Sequence, residues 1–100
     1  MAIYIAHFFA GFFLVNGVPH FVQGVSGNSF QSPFARPPGV GESSAVVNVL
    51  WGFINFVVGY VLLFEVGAFS VGLNTDTLIT GSGALLTSIV LAWHFARVRH

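Results

Sequence analysis

Three long apolar runs dominate the chain, separated by two stretches rich in polar and turn-forming residues. The first runs from Ala2 to Gln23, with Asn16 and uncharged histidines among its few polar positions. The second runs from Ser44 to about Gly67, the third from Thr77 to about Val98. Each holds roughly 20 residues or more, and a helix of that length reaches ~30 Å, the thickness of a bilayer's hydrocarbon layer. Lipid gives a bare backbone nothing to bond with, so a spanning segment must satisfy its own N–H and C=O groups, as a helix does. The apolar/polar alternation of a barrel strand is absent. The pattern predicts an all-α fold, an integral membrane bundle of three transmembrane helices, built as one domain over residues 1–100.

The boundaries carry matching signals. Ser43 or Ser44 can cap the second helix, with Glu42 beside its positive end, and Thr75 or Asp76 can cap the third. The stretch from Gly24 to Ser43 contains Pro33, Pro37, Pro38 and several glycines, which argues against a regular helix there. Phe30 and Phe34 lie in that loop, and their burial energy predicts that they fold back onto the membrane surface or the helix ends.

Composition strengthens this picture. Hydrophobic residues make up 55% of the chain and charged residues 6%, whereas soluble domains carry roughly 25% charged residues. The partner implied first is therefore the lipid bilayer. The formal net charge is +0 and the chain has no lysine, so it lacks the basic patch that a nucleic-acid partner requires. With no cysteine, disulfides, thiolate metal sites and cysteine nucleophiles are excluded, and no metal site is expected. The N-terminus lacks the positive stretch of a secretory signal. With three spans, Arg36, Arg97 and Arg99 all fall on one side, which the positive-inside rule places in the cytoplasm. The expected setting is the inner membrane, multi-pass, with the N-terminus outside and the C-terminus cytoplasmic. Trp51 and Trp93 then lie toward the inner interface.

The polar residues inside the spans are the candidate chemistry. On the second helix Asn48, Gly52, Asn55 and Gly59 fall within about 60° of one another at ~100° per residue. Small residues let helices approach closely and asparagines bond across the contact, so this stripe predicts a packing seam; the alternative is the lining of a polar path. The first helix puts Asn16, His20 and Gln23 on one face and His7, Gly11, Leu14 and Val18 on the other. Pro19 removes a helical hydrogen bond, which predicts a kink or an unwound turn between Asn16 and Pro19. The third helix carries Gly83, Thr87, Val90, His94 and Arg97 on one stripe and Gly81, Ser88 and Ala92 on another, which predicts packing on two sides. Counted from the cytoplasmic end, His20, Asn48 and His94 lie about one turn inside, Asn16 deeper, Asn55 and Thr87 deeper still. They predict a polar cluster at the inner third of the bundle. His7 and Glu65 form a weaker pair at the outer level.

The stretches N-G-V-P-H-F (Asn16 to Phe21), S-P-F-A-R-P-P-G-V-G-E-S-S (Ser32 to Ser44) and N-V-L-W-G (Asn48 to Gly52) resemble a family of small uncharacterised bacterial inner-membrane proteins. The resemblance covers the first two helices. It implies a bacterial membrane setting and carries no activity with it.

No serine–histidine–acid set, paired carboxylates or phosphate loop is present, so the sequence does not read as an enzyme. Three functional classes follow. A structural or accessory subunit would pack through its small-residue faces, by self-association or against other membrane subunits, and needs no cofactor. A small oligomeric channel or transporter would use the asparagine–histidine column. A redox anchor would bind haem b or a quinone, with His20 and His94 as the two axial haem ligands.

Overall fold

A computed structural model describes residues 2–69 and 72–99. It has three long helices, α1 (Ala2–Val25), α2 (Ala45–Phe64) and α3 (Thr75–Val98). All three are long and apolar enough to cross a membrane. α1 is the central element and packs along both other helices, while α2 and α3 make little direct contact. The contacts between helices fix the directions. Gly24 lies against Ala45 and Val49, Gly17 against Gly52, and Gly59 against Leu14, so α1 and α2 are antiparallel. Gly11 lies against Thr80 and Ala84, and Gly83 against Phe8, at the α1–α3 crossing; His7 meets Asp76 at one end and His20 meets Phe95 at the other, so α1 and α3 are parallel.

Burial is inverted relative to a water-soluble domain. The buried polar residues include His7, His20, Asn48, Asn55 and Thr87, while Phe53, Ile54, Leu85, Leu86, Ile89 and Trp93 face outward. In water this arrangement would leave most of the apolar surface wet. In lipid the outer face needs no cover, and helix contact comes from close approach and interhelical hydrogen bonds. At the α1–α2 crossing, a Cβ on Gly17 would come 2.7 Å from the Gly52 carbonyl oxygen. At the α1–α3 crossing, a Cβ on Gly11 would collide with the Thr80 carbonyl and one on Gly83 with that of Phe8.

Several boundaries and faces differ from the sequence expectation. Asn74, not Thr75 or Asp76, caps α3, accepting from the Thr77 N–H at 2.9 Å. This leaves Asp76 in the first turn, free to reach across to α1. Ser44 caps α2 as expected. α2 ends at Phe64, before Gly67, because Gly67 takes a φ of +73° that a helix cannot continue through. α1 runs on as helix through Pro19, with no unwound turn; the contacts of Gly17 and Gly24 with α2 bracket the proline. α3 packs on one side: Gly83 and Thr87 are buried, whereas Gly81, Ser88 and Ala92 are exposed.

The loop between α1 and α2 folds back onto the helix ends. Two short strands, β1 (Phe30–Gln31) and β2 (Glu42–Ser43), pair antiparallel with Phe30 opposite Ser43 and Gln31 opposite Glu42. Phe30 is buried and wedges between α1 and α3, its ring 5.4 Å from that of His20 and 4.7 Å from that of Phe95. Phe34 stays largely exposed but rests edge-on against Trp51 at 4.9 Å. Arg99 ties the end of α3 to the same loop. Its guanidinium donates to Gln31 at 2.8 Å, lies 3.8 Å from the Glu42 carboxylate and covers the Phe30 ring at 4.7 Å.

Candidate functional site

At the loop end, the helices and the loop enclose a half-open cavity of about 380 Å³. α1 contributes Asn16 and His20, α2 Trp51, and α3 Leu91, His94 and Phe95. The loop residues Gln31, Ser32, Pro33, Pro38 and Gly39 form its cap. The cavity exists because α2 and α3 lean on α1 rather than on each other, and the loop fills only part of the remaining wedge. A second, more apolar cavity of about 220 Å³ lies between α1 and α3, lined by Phe8, Phe12, Leu86, Thr87, Val90 and Leu91.

The orientations of Asn16, His20 and His94 in the larger cavity trace back to backbone carbonyls. The Asn48 side-chain amide donates from Nδ2 to the carbonyls of Phe30, Ser43 and Ser44 at 3.2, 3.1 and 3.0 Å. Carbonyls only accept, so the amide cannot be turned round. Its Oδ1 therefore faces Nδ1 of His20, 2.8 Å away, and Nδ1 must carry the proton. Nε2 of His20 has no protein partner among the described residues, and in the neutral ring it is an acceptor. His94 has the opposite tautomer. Its Nε2 donates to the Gly39 carbonyl at 2.6 Å, which leaves Nδ1 as the acceptor. Asn55 donates from Nδ2 to the Trp51 carbonyl at 2.8 Å, so its Oδ1 accepts from Asn16 Nδ2 at 2.9 Å, and Asn16 Oδ1 is left over.

The lining is rich in oriented acceptors. Asn16 Oδ1, His20 Nε2 and His94 Nδ1 are acceptors. Gln31 is committed to Glu42 and Arg99. Ser32 Oγ bonds Ser43 Oγ at 2.6 Å and accepts from the Phe34 N–H. The Asn16 amide keeps a second N–H beyond the one it gives to Asn55, and the indole N–H of Trp51 is buried and without a partner among the described residues. Native structures rarely leave such a group unpaired.

The residues singled out from the sequence divide into two sets. His20, His94, Asn48 and Asn16 do gather at the loop end: three line the cavity, and Asn48 stands behind His20. Gly52, Asn55, Gly59, Gly11, Gly83 and Thr87 lie at helix contacts, with the Thr87 hydroxyl turned back onto the Gly83 carbonyl at 2.7 Å. The pairing of His20 with His94 as axial haem ligands does not fit this geometry, since His94 commits Nε2 to Gly39. Sequence reasoning missed Trp51, Leu91, Phe95 and the cap residues Ser32 and Gly39 as lining. Only the proline-rich loop hinted at them.

At the other end His7 is fully buried. It does not pair with Glu65, which is exposed. Instead Nδ1 lies 3.2 Å from the Asp76 carboxylate and Nε2 2.9 Å from the Val66 carbonyl. Both ring nitrogens thus face acceptors; a neutral imidazole has one N–H and can serve only one of them, whereas the doubly protonated ring serves both. The Phe69 ring closes over it edge-on at 5.6 Å. One side chain thereby joins α1, the α2–α3 connection and the first turn of α3. Comparison of the chain with family models, with curated proteins and with solved structures gives no match.

Proposed function

We propose that this chain is a small multi-pass inner-membrane protein that binds a small neutral ligand in the loop-capped cavity. The observation that carries this reading is the oriented imidazole of His20, its Nε2 without a partner among the described residues, in the lining of an apolar-walled space of about 380 Å³. Binding sites for small molecules have this character: concave, mostly apolar, roughly 300–1,000 Å³, with a few placed polar groups. A purely structural bundle has no need of an oriented, unpartnered imidazole nitrogen in a cavity wall. We place the N-terminus outside and the C-terminus in the cytoplasm. In support, the loop bearing Arg36 and the α3 end bearing Arg97 and Arg99 share one end of the bundle.

The test is native mass spectrometry of the protein released from nanodiscs of bacterial lipid extract. We expect a discrete adduct smaller than a phospholipid, lost when Leu91→Trp fills the cavity. Identical spectra for both proteins, with phospholipid adducts only, would refute the reading.

A second reading, an accessory subunit, is favoured by a separate observation. α2 and α3 each spend one face on α1, and the Gly81, Ser88 and Ala92 face of α3 is exposed. A helix of a second chain would find small residues there for close approach. Crosslinking through a cysteine at Ser88, in membranes, separates this from a monomer in lipid.

A further inference from the structure

We infer that the ligand of the loop-capped cavity is a neutral, hydroxyl-bearing ring of the phenol class, which donates its proton to Nε2 of His20. This deepens the proposed ligand-binding role and rests on it.

The inference follows from what the lining offers. Asn16, His20 and His94 line the cavity, and each carries an acceptor fixed by its other hydrogen bond, Asn16 Oδ1, His20 Nε2 and His94 Nδ1. None can become a donor by a simple flip, because a carbonyl stands behind each one: the trio on Asn48, Gly39 on His94, and Trp51 through Asn55 on Asn16. A ligand that brings only acceptors would leave the lone pair of the buried His20 unsatisfied, which costs about 1–3 kcal/mol. The ligand must therefore bring at least one O–H or N–H.

Charge narrows the class. No Asp, Glu, Lys or Arg lines the cavity. An ammonium would be buried without a counterion, and a carboxylate would bring charge and acceptors together. A phenol is neutral at pH 7 and is a donor. Shape points the same way. Trp51, Phe95, Pro33, Pro38 and Leu91 give flat apolar walls, against which a ring stacks or meets edge-on.

The experiment uses the full chain in lipid nanodiscs and three probes of nearly equal size: 4-nonylphenol, its methyl ether and 4-nonylbenzoate. Bound probe is measured against protein-free nanodiscs, which removes simple partitioning. We expect the phenol to saturate at one molecule per chain, and the ether and the benzoate to bind at least about tenfold more weakly, the worth of one hydrogen bond. Leu91→Trp should abolish the saturable phenol component. Saturable binding of phenol and ether with equal affinity would overturn the hydroxyl assignment while leaving a ligand site in place. Tighter binding of the benzoate would overturn the neutral class. Saturable phenol binding that persists in Leu91→Trp would overturn the location, and no saturable binding by any probe would overturn both the inference and the reading beneath it.

Discussion

His20 and Asn48 share a hydrogen bond of 2.8 Å whose direction is decided outside the pair. Three backbone carbonyls of the loop and of the start of α2 hold the Asn48 amide, the amide fixes the imidazole tautomer, and the imidazole presents a lone pair to the cavity. The loop therefore shapes the site twice, as its cap and as the source of its polarity.

Asn48 should be the most sensitive of the buried asparagines. Asn48→Ala removes the side-chain partner of the Phe30 and Ser43 carbonyls and of one imidazole N–H, while the Ser44 carbonyl keeps the backbone N–H of residue 48. We expect a loss of at least about 1–3 kcal/mol, read as a lower unfolding midpoint in detergent. An unchanged midpoint would show that water or lipid headgroups serve these groups equally well.

The Asn16–Asn55 bond joins α1 to α2 at 2.9 Å. A double-mutant cycle with Asn16→Ala and Asn55→Ala should give a coupling of about 0.6–1.7 kcal/mol, the range of interhelical bonds in membranes. Additive effects would mean that the bond contributes nothing measurable.

The two glycines of α3 should behave oppositely. Gly83→Ala drives a methyl into the Phe8 carbonyl, whereas a methyl at Gly81 meets nothing within 4 Å. Gly83→Ala should destabilise the α1–α3 contact. Gly81→Ala should be neutral or stabilise the helix by up to about 1 kcal/mol. Equal effects in a thermal unfolding assay would contradict the packing described for α3.

Much of this was legible in the sequence, and the reasons it stopped where it did are physical. Span length and apolar content determine three helices almost alone, because lipid leaves the backbone few options. The stripe of Asn48, Gly52, Asn55 and Gly59 was readable because helical period and residue size suffice to mark a contact face. Period does not say which neighbour covers a face. The Gly81, Ser88 and Ala92 stripe looked equivalent to that of Gly83 and Thr87, yet only the latter meets α1. The partner of His7 was misjudged for a related reason: the choice of Asn74 as cap shifts the start of α3 and turns Asp76 inward. The cavity could not be read, since it depends on α2 and α3 leaning apart and on Phe30 filling only part of the gap.

At the far end, Asp76→Ala should loosen the first turn of α3 by removing an acceptor from His7. Hydrogen exchange of the amides of residues 76–80 should accelerate, while Asp76→Asn, which keeps an acceptor oxygen, should stay close to the parent. Equal exchange in all three would mean that His7 does not hold α3.

The most direct test of the ligand-site account is the ¹⁵N NMR spectrum of histidine-labelled protein in lipid, with His20 assigned through His20→Gln. The account predicts a protonated Nδ1 and an unprotonated Nε2 for His20. Addition of 4-nonylphenol should shift the Nε2 resonance saturably while both nitrogens of His7 stay in place. A His20 ring protonated at Nε2 instead of Nδ1, or a spectrum that ignores the phenol, would contradict it.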